Sequence, residues 1–221
     1  MKFIIKSSVL FPKILLNYNC KEEEKSGSGP GSCGGNRSSE SSDLDEKLKN
    51  WESSIRLNLS VDEKEVIDNW GRKYDLINNY LYNPSRNKEV WKDQIKDIGI
   101  IDNIMNKNRT QMPLTVYRGV PFLDRMPKVI KEVGSEISMK GFTPTSASEK
   151  WARTFLSPEG ALLEISVPEG TNAIYMHENK NMQMTERELL LNRDLKYKVT
   201  SVEEIPNNLS FKYKIKMSII S

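Results

Sequence analysis

Glu186 and Glu188 flank a single residue in Thr185-Glu-Arg-Glu-Leu-Leu190, and the apolar run continues to Leu191. In a strand, side chains two residues apart lie on one face. Two carboxylates so placed beside leucines repel each other and cost desolvation. A structural account has a neighbouring cation bridge them at a strand end. A chemical account gives each a task. A fixed carboxylate stabilises positive charge developing on a reacting carbon, and a second one can orient or deprotonate an incoming nucleophile. Arg118 closes the phrase Leu114-Thr-Val-Tyr-Arg-Gly119. It is either an exposed ion-pairing arginine or a planar fork suited to two-point contact with a phosphate. Gly119 beside it would let backbone approach a ligand closely.

The elements that must carry these residues divide the chain in two. From Asp43 to about Asn108 the spacing is helical. Leu44, Leu48, Trp51 and Ile55 recur on one face, and Val66, Ile67, Trp70, Tyr74, Ile77 and Leu81 on another. Ser60 with Glu63 predicts a capping box, and Pro84 predicts the stop. A third helical stretch begins near Asn87 and carries Trp91, Ile95, Ile98, Ile101 and Ile104. Core packing accounts for these stripes. From Leu114 onward short β-branched and aromatic segments predict strands at 114–117, 135–139, 161–167, 172–175, 188–191, 196–203 and 211–220. Two short helices, 122–131 and 149–155, interrupt them. Helices first and strands afterwards predict an α+β domain.

Composition narrows the function classes. Hydrophobic residues make up 37% and charged residues 29%, which fits a polar globular domain. A net charge of +3 gives no reason to expect nucleic acid as a partner. The single His177 excludes histidine-based triads and zinc clusters built from this chain alone, and no metal-ligand set is visible. No run reaches the roughly 20 apolar residues that span a bilayer. Residues 1–18 are apolar but broken by Lys6, Pro12 and Lys13; they read as an extension, with a degenerate export signal as the alternative. Residues 19–42 read as a Gly/Ser-rich flexible linker that holds Cys20 and Cys33, and residues 43–221 as the main domain.

In order and spacing, Leu114–Gly119, Gly141-Phe-Thr-Pro-Thr-Ser146 and Thr185–Leu190 resemble the arginine, serine-threonine-serine and glutamate-x-glutamate triad of clostridial-type mono-ADP-ribosyltransferase exotoxins. The resemblance covers about residues 55 to 205. It implies the ADP-ribosyltransferase fold, with two packed, mainly antiparallel sheets around an NAD cleft and helices at the N-terminal side. It implies NAD as co-substrate and transfer of ADP-ribose to an arginine of a target protein. Glu188 would be the catalytic glutamate, Glu186 would direct the acceptor, and Arg118 would hold the NAD phosphates. Gly119, Asn78, Thr145, Ser146 and Phe155 would complete the NAD site, with Phe155 stacking on nicotinamide. The alternatives are an NAD glycohydrolase and a weakened NAD- or partner-binding module. A monomer is expected, secreted, injected or phage-delivered as relatives are.

Two positions depart from the family pattern. Pro144 stands where a serine whose hydroxyl supports the catalytic glutamate is expected, leaving Thr143 or Thr145 as substitutes. Tyr82 stands where an arginine often adds a phosphate contact.

Overall fold

The computed structural model describes residues 37–84, 91–177, 187–206 and 208–220, with side chains from Asp43 onward. Glu186, Cys20, Cys33, the N-terminal extension and the glycines of the linker lie outside the described residues. Three helices come first: α1 (Arg37–Leu57), α2 (Val61–Tyr82) and α3 (Lys92–Lys107). α1 thus begins inside the stretch read as linker. The expected capping box opens α2: Ser60 Oγ accepts from the Glu63 N–H at 3.2 Å, and Glu63 Oε2 accepts from the Ser60 N–H at 2.8 Å. Such a cap stabilises a helix by about 1 kcal/mol. α2 ends at Tyr82, two residues before Pro84.

Eight strands follow among the described residues. They are β1 (Leu114–Val120), β2 (Glu136–Met139), β3 (Thr143–Ser146), β4 (Ala161–Val167), β5 (Ala173–Met176), β6 (Glu188–Leu191), β7 (Leu195–Glu204) and β8 (Tyr213–Ile220). A short helix, α4 (Glu149–Arg153), lies between β3 and β4. The strands form one hydrogen-bonded sheet in the order β2-β7-β8-β4-β1-β3-β6-β5. The expected division into two packed sheets is not resolved as such, because the pair Tyr117↔Ser146 joins β1 to β3 and makes the ladder continuous. That junction is a single residue pair, whereas β1 meets β4 over seven. β4 and β8 run parallel; the other neighbours are antiparallel.

The main core lies between the sheet and α1–α3. It holds Trp51, Trp70, Tyr74, Ile77, Ile101 and Phe142 with the inward residues of β1, β4, β6 and β7. β5 and β6 are buried at every position, which suits the apolar Ala173–Met176 and Leu189–Leu191 and takes Glu188 in with them. α1 packs along the edge strand β5, with Trp51 stacked on Tyr175 at 6.4 Å. A second, smaller cluster joins Ala152 of α4 to Leu162 and Phe211. The helix expected over 122–131 is instead two 3₁₀ turns, Leu123–Arg125 and Lys128–Lys131. Pro127 separates them, since it has no N–H to continue a helix.

Candidate active site

The motif residues meet where β3 and β6 run beside β1 and under α2. Glu188 is the first residue of β6, with Ser146 of β3 and Met176 of β5 directly across from it. It is only 6% exposed, and its Oε1 accepts a hydrogen bond from the Trp70 indole N–H at 2.9 Å. Four residues along α2, the Tyr74 hydroxyl accepts from Arg118 Nη2 at 3.2 Å. Arg118 Nη1 also reaches the Pro144 carbonyl oxygen at 3.4 Å. A further four residues along, Asn78 Nδ2 donates to the Phe142 carbonyl at 3.0 Å. Residues 70, 74 and 78 form one stripe, with about 6 Å of rise between successive contacts. Consecutive turns of one helix therefore serve the carboxylate, the guanidinium and the Gly141-Phe142 segment.

Other groups shape the electrostatics around Arg118. Burial raises the Tyr82 hydroxyl above its ordinary value, offset in part by the Arg118 charge and the Gly141 backbone. Burial likewise pushes Tyr197 up to about 12, again with Arg118 opposing. Both phenols stay neutral at physiological pH. Tyr82 thus sits at the arginine's side although it cannot supply a second positive charge.

The two motif glycines are explained by packing. A Cβ on Gly119 would run into the Ala152 carbonyl oxygen and come within 3.1 Å of Phe155 Cβ. The close approach that Gly119 permits is thus that of the end of α4. A Cβ on Gly141 would collide with Asn78 Oδ1 and lie 2.8 Å from Tyr82 Cε2, so this glycine lets α2 dock. Phe155 is half-buried beside Gly119, edge-on to Trp151 at 6.2 Å, and belongs to neither core cluster.

The threonine hydroxyls of the middle motif are committed to backbone and core. Thr145 Oγ1 donates to the Leu189 carbonyl at 2.6 Å. Thr143 Oγ1 faces Met139 Sδ at 3.4 Å and the Gly141 carbonyl at 3.5 Å. Ser146 Oγ accepts from the Ser148 N–H at 3.0 Å and so shapes the turn into α4. Neither threonine therefore takes up the support of Glu188 expected of it; Trp70 donates to that carboxylate.

α1 holds both flanks of the segment 178–186. The His177 N–H donates to Glu52 Oε2 at 3.0 Å, and the Arg187 guanidinium pairs with Asp45. Arg187 has φ of +48°, a left-handed conformation that costs a non-glycine residue roughly 1–2 kcal/mol. Its backbone is fixed on both sides, by N–H donation to the His177 carbonyl at 3.2 Å and acceptance from Ala147 at 3.0 Å. The residue between the two glutamates is thus tied to the first helix and to the end of β3.

The structure brings together Glu188, Ser146, Arg118, Gly119, Asn78 and Phe155 on adjoining elements. Trp70 and Tyr74 were not singled out from the sequence, because its pattern counts them as core. Their signal would have been polar-tipped aromatics at four-residue spacing on a stripe that ends in a buried asparagine. Among the described residues, no group of three or more His, Cys, Asp or Glu could hold a metal ion. No described helix is long and apolar enough to cross a membrane.

A family model described as ADP-ribosyltransferase exoenzyme matches residues 44–220. NAD(+)--arginine ADP-ribosyltransferase EFV of Enterococcus faecalis is 27% identical over 170 residues, covering 74% of this chain. The match spans 33% of that relative's own length, about a third. Among solved structures, Plx2a, an ADP-ribosyltransferase toxin from Paenibacillus larvae, superposes with a TM-score of 0.61 at 25% identity, covering 80% of this chain and 96% of the toxin. An ADP-ribosyltransferase from Clostridium botulinum gives a TM-score of 0.64 at 18% identity, with coverage of 80% and 96%.

Proposed function

The chain belongs to the ADP-ribosyltransferase exoenzyme family, and from that premise we propose that it cleaves NAD at the nicotinamide–ribose bond and transfers ADP-ribose to an arginine of a target protein. The observation that carries this reading is the buried carboxylate of Glu188, anchored by Trp70 on the strand two places from Arg118. Breaking the C1′–N bond releases nicotinamide with the bonding electron pair and leaves an oxocarbenium-like ribose, as in glycoside hydrolysis. A fixed carboxylate in a poorly solvated place stabilises that charge strongly. Arg118 is suited to hold the pyrophosphate, with the Tyr74 hydroxyl beside it. A guanidinium nitrogen of the acceptor then bonds to C1′, and its proton passes to Glu186 or to solvent.

Arginine as acceptor rests on Glu186, whose carboxylate matches a guanidinium in a planar two-point contact, and on the named activity of the Enterococcus relative. As a member of a family that includes toxins, the protein would act as a secreted or injected monomer on a foreign target. The test is incubation with labelled NAD and a cell lysate, followed by identification of the labelled protein and residue. Label on an arginine, lost in Glu188→Gln, is the expected result. Nicotinamide release without any labelled protein would leave hydrolysis as the activity, and no release at all would refute the reading.

A further inference from the structure

We propose that Trp70 is a positioning residue for Glu188: its indole N–H sets the plane of the carboxylate that faces the ribosyl cation. This rests on the reading of Glu188 given above. Trp70 is 2% exposed and lies in the middle of α2, on the stripe that faces the sheet. Its ring has little freedom. Tyr74 meets it edge-on at 5.4 Å and 72°, and Phe142 edge-on at 5.9 Å and 89°. The N–H direction is thereby fixed, and it ends on Glu188 Oε1 at 2.9 Å.

An indole N–H can donate but not accept, and it does not titrate in the physiological range. It can therefore donate to Glu188 at every working pH. A hydrogen bond to an ionised acceptor is about twice as strong as a neutral one. Phenylalanine would satisfy the apolar pattern of α2 equally well, but would leave Oε1 without this donor. A buried tryptophan also needs a partner for its own N–H, so each group answers the other's need. The Thr145 hydroxyl is engaged elsewhere, donating to the Leu189 carbonyl.

The decisive variant replaces Trp70 with 3-benzothienylalanine, which keeps the shape and exchanges N–H for sulfur. Nicotinamide release should fall about ten- to a hundredfold in kcat, the worth of a charge-assisted hydrogen bond, while KM for NAD stays within about twofold. An unchanged kcat in a parent that turns over would overturn the inference alone. A second measurement needs no activity. In NAD-free protein with 15N-labelled tryptophan, Glu188→Gln should move the Trp70 indole resonance, assigned through Trp70→Phe, more than those of Trp51, Trp91 and Trp151. An unmoved resonance would show that the contact is absent and overturn the inference as well. A parent that releases no nicotinamide, with the resonance shift present, would refute the function proposed for Glu188 and the positioning role with it.

Discussion

Glu188→Gln separates charge from shape at the centre of the site. Glutamine has the same number of heavy atoms, and its amide oxygen can still accept from Trp70 Nε1, which lies 2.9 Å from Oε1 in the parent. Ser146 and Met176 opposite would keep their neighbours. The fold should therefore survive, with unfolding free energy changed by less than about 2 kcal/mol. What is lost is a full negative charge at a position only 6% exposed. Water screens poorly there, so the charge acts on a developing cation at a lower effective dielectric than at the surface. Removing one preorganised electrostatic partner typically costs about 10²–10³ in rate, roughly 2.7–4 kcal/mol. Nicotinamide release, followed by chromatography with saturating NAD, should drop by that factor both with and without a protein acceptor. Urea unfolding and circular dichroism on the same sample establish that the variant is folded. Turnover within about threefold of the parent in a folded variant would refute the electrostatic argument for Glu188.

Glu186→Gln should abolish transfer to protein while nicotinamide release continues, measured as label on protein against total nicotinamide; equal loss of both would deny it a part in directing the acceptor. Arg118→Lys should weaken NAD binding by about tenfold although the charge remains, since lysine cannot make the planar two-point contact; equal affinities in calorimetric titration would leave Arg118 as a structural partner of Tyr74 and Pro144. Gly141→Ala should lower stability by about 1–3 kcal/mol in urea, because the added methyl meets Asn78 Oδ1 and Tyr82 Cε2. An unchanged unfolding midpoint would mean that α2 yields without cost.

Where local chemistry decided the structure, the sequence was readable. Ser60 and Glu63 sit three apart, and both hydrogen bonds of their capping box form. β4 and β6 begin and end at the expected residues, because Ala161–Val167 and Glu188–Leu191 are mostly apolar and bounded by polar or turn residues. β3 was missed for the opposite reason. Thr-Pro-Thr-Ser has no strand pattern of its own, and proline removes a ladder donor. It becomes a strand because β6 pairs with it over four residues and β1 over one. The sheet order, too, places β3 between β1 and β6 although β2 and β4 flank it in sequence.

The site divided along the same line. Glu188 and Arg118 were singled out because their short motifs, taken together and in order, resemble those of the family. Trp70 and Tyr74 were not, because hydrophobic periodicity treats an aromatic at a core position as a space-filler, and Asn78 was reached through the family resemblance alone. The polar tips of all three acquire meaning only through partners 118, 44 and 64 residues away. One regularity was nonetheless present. The three residues recur every fourth position on the buried side of α2, and each can donate or accept at its tip. A helix that only had to fill space would gain nothing from an indole N–H, a phenol and an amide in that register, and burying them unpaired would cost it stability. Their joint presence therefore requires polar partners on the facing sheet. The carboxylate, the guanidinium and the motif backbone are those partners, which makes α2 part of the proposed site rather than a cover over it.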